Sequence, residues 1–427
     1  MTSSYADMTT AATEHLDTMA SLHPDLAEDY KSISQLFSSK LWHQLTVEVL
    51  DFVSTPVDDE NNPAATESNF TNIRTTSDGS NSYLALYDRV VLACDAKLNQ
   101  LSLAQIASVV ATSLASEGGG ADVVAARAVL ENLLEKKSRL GKAASLFLQS
   151  KLALLSLRMI PYDATQEQYE SIGTMLRTET IVLNEELGDS SEGSGSAVVH
   201  SAFYEASTAY RKRVGPPEAF YQEALMFLNY TPVDSMTVEE RYTLATDLSL
   251  AALTGEGVFN FGEVVTAPIL NCLKGTPNEW LMELMHCFTY GEVDTFLSVT
   301  EKSATAIRAQ PALVSRAEAV REKITLLAFV NMVFERPSAE RTLSFEDIAT
   351  RTKVSKDRVD FVIMRALSLG LIKGIMDQVD ETVDVSWVMP RVLNELQLKG
   401  LSSRFGEWAV KVAQMKDFMG EHTPSIA

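Results

Sequence analysis

The chain has 427 residues, 46% of them hydrophobic, with 57 Asp and Glu against 36 Lys and Arg and a formal net charge of −21. That length leaves room for about three domains, and the apolar content fills their cores. The acidic balance keeps the chain soluble and argues against nucleic acid or anionic lipid as partners.

Almost everything before residue 335 has helical period. Leu22 to Phe52 gives two short helices, with Leu36, Phe37, Leu41, Leu45, Val49 and Phe52 on the buried side. Ser54 to Ser82 holds Pro56, Pro63, Gly79, five Asp or Glu and many Ser, Thr and Asn. It reads as an exposed, disordered polar insertion. Helices resume over Tyr83 to Ala93, Leu101 to Ser116, Ala121 to Lys137 and Ala143 to Met159, and Thr165 with Gln168 boxes a helix through Leu187. A Ser/Gly linker, 188–195, follows. Val198 to Val214, Pro217 to Tyr230 and a helix from Thr237 and Glu240 to Leu253 then come as pairs. Thr276-Pro277-Asn278-Glu279 offers a cap, an N1 proline and an N3 acid in order. Its helix is broken at Gly291, and a long helix runs from Val314 to Phe334. Amphipathic pairs of this length cannot bury their apolar sides alone, so stacking into an α-solenoid is expected.

The stretch 336–389 changes character. Leu343 to Ala349 reads as a short helix capped by Ser344, with Asp347 three residues on. Ser355 caps a second helix carrying Val359, Val362, Ile363, Ala366, Leu367 and Leu369, which Gly370 stops. Leu371 to Met376 and Thr382 to Trp387 read as strands around a polar turn. Helix, turn, helix and hairpin make a winged helix, a frequent DNA-binding module. The charges point elsewhere: Ser338 to Met389 holds nine Asp or Glu and seven Lys or Arg. The wing carries Asp377, Asp380, Glu381 and Asp384, with no cation between Lys373 and Arg391. Phosphate contacts need cations, so a protein-binding winged helix is expected, with those four acids as interface candidates.

The last segment, 390–427, carries Leu398, Leu401, Phe405, Trp408, Val412, Met415 and Met419 at alternating spacings of three and four. That is a heptad seam. At roughly 1.5–3 kcal/mol per buried large side chain, these residues must pack on something. The seam fits either this chain's own body or helices of other chains, and Gly400 and Gly406 weaken the helix until it assembles.

The sequence offers little catalytic chemistry. The six histidines form no HxH or HExxH, so the usual hydrolytic zinc spacings are absent. Cys94, Cys272 and Cys287 make no CxxC and no disulfide framework, which fits a reducing compartment. Cys287 beside His286 reads as core packing. Gly141-Lys142 lacks the upstream glycine of a P-loop, and Gly255-Glu256-Gly257 is followed by Asn260 where a dinucleotide fingerprint needs glycine. Gly255 and Gly257 instead suit a helix-ending turn, with Phe259 and Phe261 plugging the gap between helix pairs. Arg211-Lys212-Arg213 suits a helix C-terminus. Met1 to Tyr5 lack the pattern of a secretory leader, and no apolar run approaches the roughly 18 residues of a membrane span.

Helical repeats, a winged helix and a terminal helix together resemble the PCI-domain proteins, which scaffold the proteasome lid, the COP9 signalosome and translation initiation factor three. Asp247 to Glu263, Pro268-Ile269-Leu270, Leu273-Lys274-Gly275-Thr276, Glu279-Trp280-Leu281, Gly291-Glu292-Val293, Val385-Ser386-Trp387-Val388 and Pro390-Arg391-Val392-Leu393 are similar to the lid branch of that family. The resemblance implies a mainly α fold: an N-terminal α-solenoid, a C-terminal winged helix (the PCI domain) and a terminal bundle helix. The expected divisions are 1–187 with 54–82 as insertion, 188–195, 198–335, 336–389 and 390–427. It also implies a non-catalytic scaffold subunit without cofactor or metal, in the cytoplasm and nucleus. Its partners would be other PCI lid subunits in a hetero-oligomer, with no nucleic acid and no membrane. The alternatives are a scaffold of the signalosome or initiation factor, and a winged-helix nucleic-acid binder.

Overall fold

The computed structural model describes residues 2–54, 73–76, 79–117, 120–135, 137–161, 166–186, 194–337, 340–390 and 395–422. The chain divides into two compact units, Met1–Leu244 and Ala245–Ala427. The first contains α1 (Thr2–Leu22), α2 (Ala27–Ser38), α3 (Trp42–Ser54), α4 (Ser82–Leu86), α5 (Gln100–Glu117), α6 (Gly120–Leu134), α7 (Lys137–Met159), α8 (Gln166–Glu186), α9 (Ser194–Val214) and α10 (Pro217–Tyr230). Helices α3, α5, α7 and α9 pack in succession as one row. A second row lies against it, with α6 bridging α5 and α7, and α8 bridging α7 and α9. Each helix buries a stripe of one or two residues per turn, such as Ile33 and Phe37 of α2 or Leu45, Val49 and Phe52 of α3. This is the stacked-pair architecture that the periodicity predicts.

Polar cross-links tie the rows. Lys151 of α7 meets Glu205 of α9 at 2.6 Å, and Glu223 of α10 receives Arg211 Nε at 3.0 Å and Ser207 Oγ at 2.5 Å. Arg213 donates to the Ile160 carbonyl at 2.6 Å. Two of the three cations at the end of α9 are thus tied to α10 and to the end of α7, beyond the expected match to a helix dipole.

Two features depart from the expectations. Helix α1 is an addition; its Ser/Thr-rich sequence buries Ala12, Leu16 and Met19. The end of the expected polar insertion is also built into the fold. Thr76, Asn81 and Ser82 are buried, and Asn81 caps α4 through Oδ1. Ser82 Oγ accepts from Arg74 N at 2.9 Å, and Arg74 pairs with Asp25 at 2.9 Å. Residues 55–72, 77 and 78, most of the linker 188–195 and the cap at Thr165 lie outside the described residues.

Helix α11 (Val238–Thr254) opens with the predicted reciprocal box: Glu240 N donates to Thr237 Oγ1 at 3.3 Å, and Thr237 N to Glu240 Oε2 at 3.1 Å. The second unit continues with α12 (Gly262–Thr266), α13 (Glu279–Tyr290), α14 (Val293–Lys302), α15 (Ala304–Arg308), α16 (Pro311–Ser315) and α17 (Ala317–Glu335). Thr276 does not cap α13. Its hydroxyl donates to the Leu273 carbonyl at 2.7 Å, and the helix starts at Glu279. Helix α17 is the centre of this unit, with Leu326 to Val333 all buried. Gly291, left-handed at φ 66°, ends α13 close against α17.

Phe261 is buried and lies 5.3 Å from Phe288, in the plugging role expected of it. The turn it follows rests on a group that no local pattern marks. Lys323 of α17 is buried, and its Nζ donates to the carbonyls of Ala252, Leu253 and Gly255 at 2.9, 3.2 and 2.6 Å. A cation thus closes the C-terminus of α11, where orphan carbonyls and the helix dipole both favour it.

The winged helix comprises β1 (Thr342–Ser344), α18 (Phe345–Thr352), α19 (Val359–Ser368), β2 (Ile372–Asp377) and β3 (Thr382–Val388), followed by α20 (Glu395–His422). Ser344 caps α18 as expected, accepting from Asp347 N at 3.2 Å. Ser355 makes no capping bond; a 3-10 turn, Lys356–Arg358, leads into α19. The sheet is antiparallel in the order β1-β3-β2, with a bulge between Lys373 and Gly374. Strand β1 is an addition to the expected hairpin. Three residues at the foot of a helix are too short to show period two.

Candidate protein-interaction surfaces

Leu343, Ile348, Val359, Ile363, Leu371, Val383 and Val385 fill the core of the winged helix. The four acidic candidates are all exposed, and three carry internal bonds. Asp377 Oδ1 accepts from Val379 N at 2.9 Å and Asp380 N at 3.1 Å, which shapes the wing turn. Glu381, at φ 51°, pairs with Lys356 and holds that ammonium above its usual pKa. Asp384 Oδ1 accepts from Thr342 Oγ1 at 3.2 Å, joining β3 to β1. Asp380 lies at the tip.

Five of the seven cations of this module are engaged. Arg351 pairs with Glu335, Lys353 with Asp294, Lys356 with Glu381 and Arg365 with Glu322. Lys373 Nζ sits 5.2 Å above the Trp387 ring. Helix α19, which would enter a major groove in a DNA-binding relative, offers Phe361 and Met364 to solvent, 62% and 44% exposed. Ile375 and Val379 of the hairpin are also exposed. Apolar groups and neutralised cations suit a protein partner and oppose a phosphate backbone.

Helix α20 is the larger surface. It is 28 residues long, about 42 Å at 1.5 Å per residue. Every side chain from Leu398 to Phe418 is exposed. Leu398, Leu401, Phe405, Trp408, Val412 and Met415 are 51%, 38%, 61%, 65%, 48% and 62% exposed. Met419 falls within the helix, with its side chain outside the described residues. Of the two readings of the heptad seam, packing on the chain's own body is absent over Leu398 to Phe418. Val410 and Phe418, off the seam, are exposed as well. Trp408 is therefore no internal anchor, whereas Trp280 is buried.

No comparable convergence of reactive groups occurs among the described residues. A groove among α3, α5, α7 and α9, lined by Val47, Leu50, Val109, Phe147 and Val198, contains Lys151, already engaged by Glu205. Burial pushes the Cys94 and Cys287 thiols up to about 12 and about 11, far from thiolate chemistry. Glu179 of α8 is buried, and desolvation raises its carboxyl to about 7, partly opposed by a 3.2 Å hydrogen bond from Ser150 Oγ. It faces α7, with no second catalytic group beside it among the described residues. No helix among the described residues is long and apolar enough to cross a membrane.

A stack of helix pairs, a winged helix and a terminal helix define a PCI-domain protein, and the PCI domain model matches residues 300–387. The model described as PSD13 N-terminal repeats matches residues 29–285. The chain is 32% identical to 26S proteasome non-ATPase regulatory subunit 13 homolog B of Arabidopsis thaliana, over 97% of this chain and 99% of that protein. It is 29% identical to 26S proteasome non-ATPase regulatory subunit 13 of Dictyostelium discoideum, over 93% and 94%. Eukaryotic translation initiation factor 3 subunit M of Neosartorya fischeri matches at 24% identity over 45% of the chain. The chain belongs to the 26S proteasome non-ATPase regulatory subunit 13 family.

Proposed function

We propose that this chain is a non-catalytic scaffold subunit of the 26S proteasome regulatory-particle lid, in the cytoplasm and nucleus. It joins other PCI-domain lid subunits through α20 and the winged helix. The observation that carries this reading is the bare apolar seam of α20. Its six described large side chains represent about 9–18 kcal/mol of burial, counted as an upper bound, that only partner helices can supply. Val410 and Phe418 lie off the seam, so contact on more than one side is favoured: a bundle rather than a two-stranded coil. The winged helix contributes a second surface. Strands β1 and β2 are the edges of its sheet, and Phe361, Met364, Ile375 and the acidic wing at Asp377, Asp380, Glu381 and Asp384 flank it.

The matching N-terminal repeats, residues 29–285, favour the proteasome over the initiation factor, whose likeness covers less than half of the chain. The neutralised cations speak against the nucleic-acid reading. The test is a tagged chain lacking residues 395–427, expressed in cells and recovered by affinity purification. Loss of the other lid subunits from the eluate, with unchanged helical content of the rest of the purified chain, is expected. Full recovery of those subunits sinks the bundle reading. Recovery of initiation-factor or signalosome subunits in their place assigns the scaffold to another complex.

A further inference from the structure

The charges along α20 are segregated, and the segregation says what kind of helix it accepts. With Leu398 set as position a of the heptad, the seam occupies a and d. The flanking e and g positions are then Ser402, Arg404, Ala409, Lys411, Lys416 and Phe418. Every charge on the flanks is positive. The carboxylates Glu407 and Asp417 fall at c and f, away from the seam. Between Leu398 and Phe418 the helix carries four cations and two carboxylates, in a chain whose net charge is −21. Arg404, Lys411 and Lys416 are exposed, and none makes an ion pair or side-chain hydrogen bond among the described residues. This contrasts with the winged helix, where Arg351, Lys353, Lys356 and Arg365 are each paired.

Flanking charges select partner and orientation in helical seams, because e and g side chains cross the interface and meet those of the neighbour. In a parallel pair of two copies, g of one heptad meets e of the next heptad in the partner. Lys411 would face the second copy's Lys416, twice by symmetry. Like charges at that separation repel, so the helix is built against its own copy. Resting on the bundle reading above, we propose that Arg404, Lys411 and Lys416 are the partner-selecting residues of α20. The helices it joins carry Asp or Glu along the edges of their own apolar seams.

The test uses the full chain, tagged and expressed in cells, with incorporation into the regulatory particle measured relative to wild type. The charge-reversed variant R404E/K411E/K416E is expected to lose incorporation tenfold or more. The neutral R404Q/K411Q/K416Q falls in between, and R404K/K411R/K416R matches wild type. The seam variant F405A/W408A loses incorporation whatever the flanks do. Because the three flank residues make no polar contact among the described residues, the thermal midpoint of each purified flank variant should equal that of wild type. Zero-length carbodiimide crosslinking of the assembled complex should join Lys411 or Lys416 to Asp or Glu of another subunit. If F405A/W408A fails while the charge-reversed variant incorporates normally, the selection proposal is wrong and the bundle stands. If F405A/W408A also incorporates normally, the bundle reading falls and takes the proposal with it. Crosslinks of Lys411 or Lys416 to a second, differently tagged copy of this chain overturn the heterotypic preference.

Discussion

Replacing Glu179 by Gln isolates the energetic consequence of a buried carboxyl between α7 and α8. The Ser150 hydroxyl has one proton and two acceptors within reach, the Leu146 carbonyl at 2.9 Å and Glu179 Oε2 at 3.2 Å. One proton serves only one of them well. A neutral Glu179 resolves the conflict by donating to Ser150 Oγ, leaving the serine proton to Leu146. Desolvation first, opposed by the serine hydrogen bond, raises the carboxyl from 4.5 to about 7. The charged groups of the neighbouring helices do not drive this rise, and Lys151, next to Ser150, is held by Glu205. The folded state therefore binds the proton more tightly than the unfolded state, and stability falls as pH rises from about 4.5 to about 7. At about 1.36 kcal/mol for each pH unit between those two values, the full loss is about 3 kcal/mol. The amide of the Glu179→Gln variant cannot ionise. The variant's stability should match wild type near pH 4.5, and its advantage should grow to about 3 kcal/mol above pH 7. Urea unfolding by circular dichroism at half-unit pH steps measures this, with hydrogen exchange in α7 and α8 locating it. Ser150→Ala removes the bond that lowers the value and should move the wild-type midpoint upward. A Glu179→Gln advantage that is the same at pH 5 and pH 8 would refute the reasoning.

Three further substitutions probe the second unit. Lys323→Met keeps the length of the side chain but leaves the carbonyls of Ala252, Leu253 and Gly255 without their donor. The expected cost is about 3–5 kcal/mol, read as a fall in Tm on the order of 10 °C; an unchanged Tm means water replaces the ammonium. Gly291→Ala places a Cβ 2.6 Å from Asn331 Nδ2 and 2.8 Å from Ala328 Cα, at φ +66°. Backbone strain and overpacking together predict a loss of about 2–5 kcal/mol in denaturant titration, and a variant as stable as wild type contradicts the close approach of α13 to α17. The pair G400A/G406A acts in the opposite sense, because a Cβ at either position meets nothing within 4 Å. Helix propensity predicts a gain of roughly 0.8–1 kcal/mol per site for α20, visible as slower hydrogen exchange over residues 398–418, while unchanged exchange would show that the glycines do not limit the helix.

What is legible in the sequence follows the range of the interactions. The box at Thr237 and Glu240 spans three residues, and the structure realises both of its hydrogen bonds. Thr276 carries a similar local signal and behaves otherwise, because its hydroxyl finds the Leu273 carbonyl upstream. Helix α1 is hard to see because Ala12, Leu16 and Met19 are a thin apolar stripe among threonines and serines. Lys323 and Glu179 look, in the sequence, like the solvated charges of any amphipathic helix. The carbonyls that bind Lys323 lie 68 to 71 residues away, and Ser150 lies 29 residues from Glu179. For the wing, charge counting points to a protein-binding surface. It does not reveal that Asp377 shapes the wing turn, that Glu381 ties the turn to Lys356, or that Asp384 joins β3 to β1.

The seam of α20 separates the energy that folds the chain from the energy that assembles it. Helix α17 and the winged helix close their cores with Ile324, Leu327, Phe329, Val330, Leu343, Ile363 and Val383 at 2% exposure or less, while Leu398 to Phe418 of α20 stay exposed. The six described seam residues keep between 38% and 65% of their surface exposed, area that association can bury. An exposed stripe of this size is an aggregation hazard, and net repulsion is one general remedy. Here the body supplies that repulsion through its acidic excess, while the like charges at Lys411 and Lys416 disfavour pairing between copies of α20. On the proposed reading, the same residues that oppose a second copy also draw in an acidic-edged helix. Protection of the free chain and recognition of its partner then follow from one arrangement of charge.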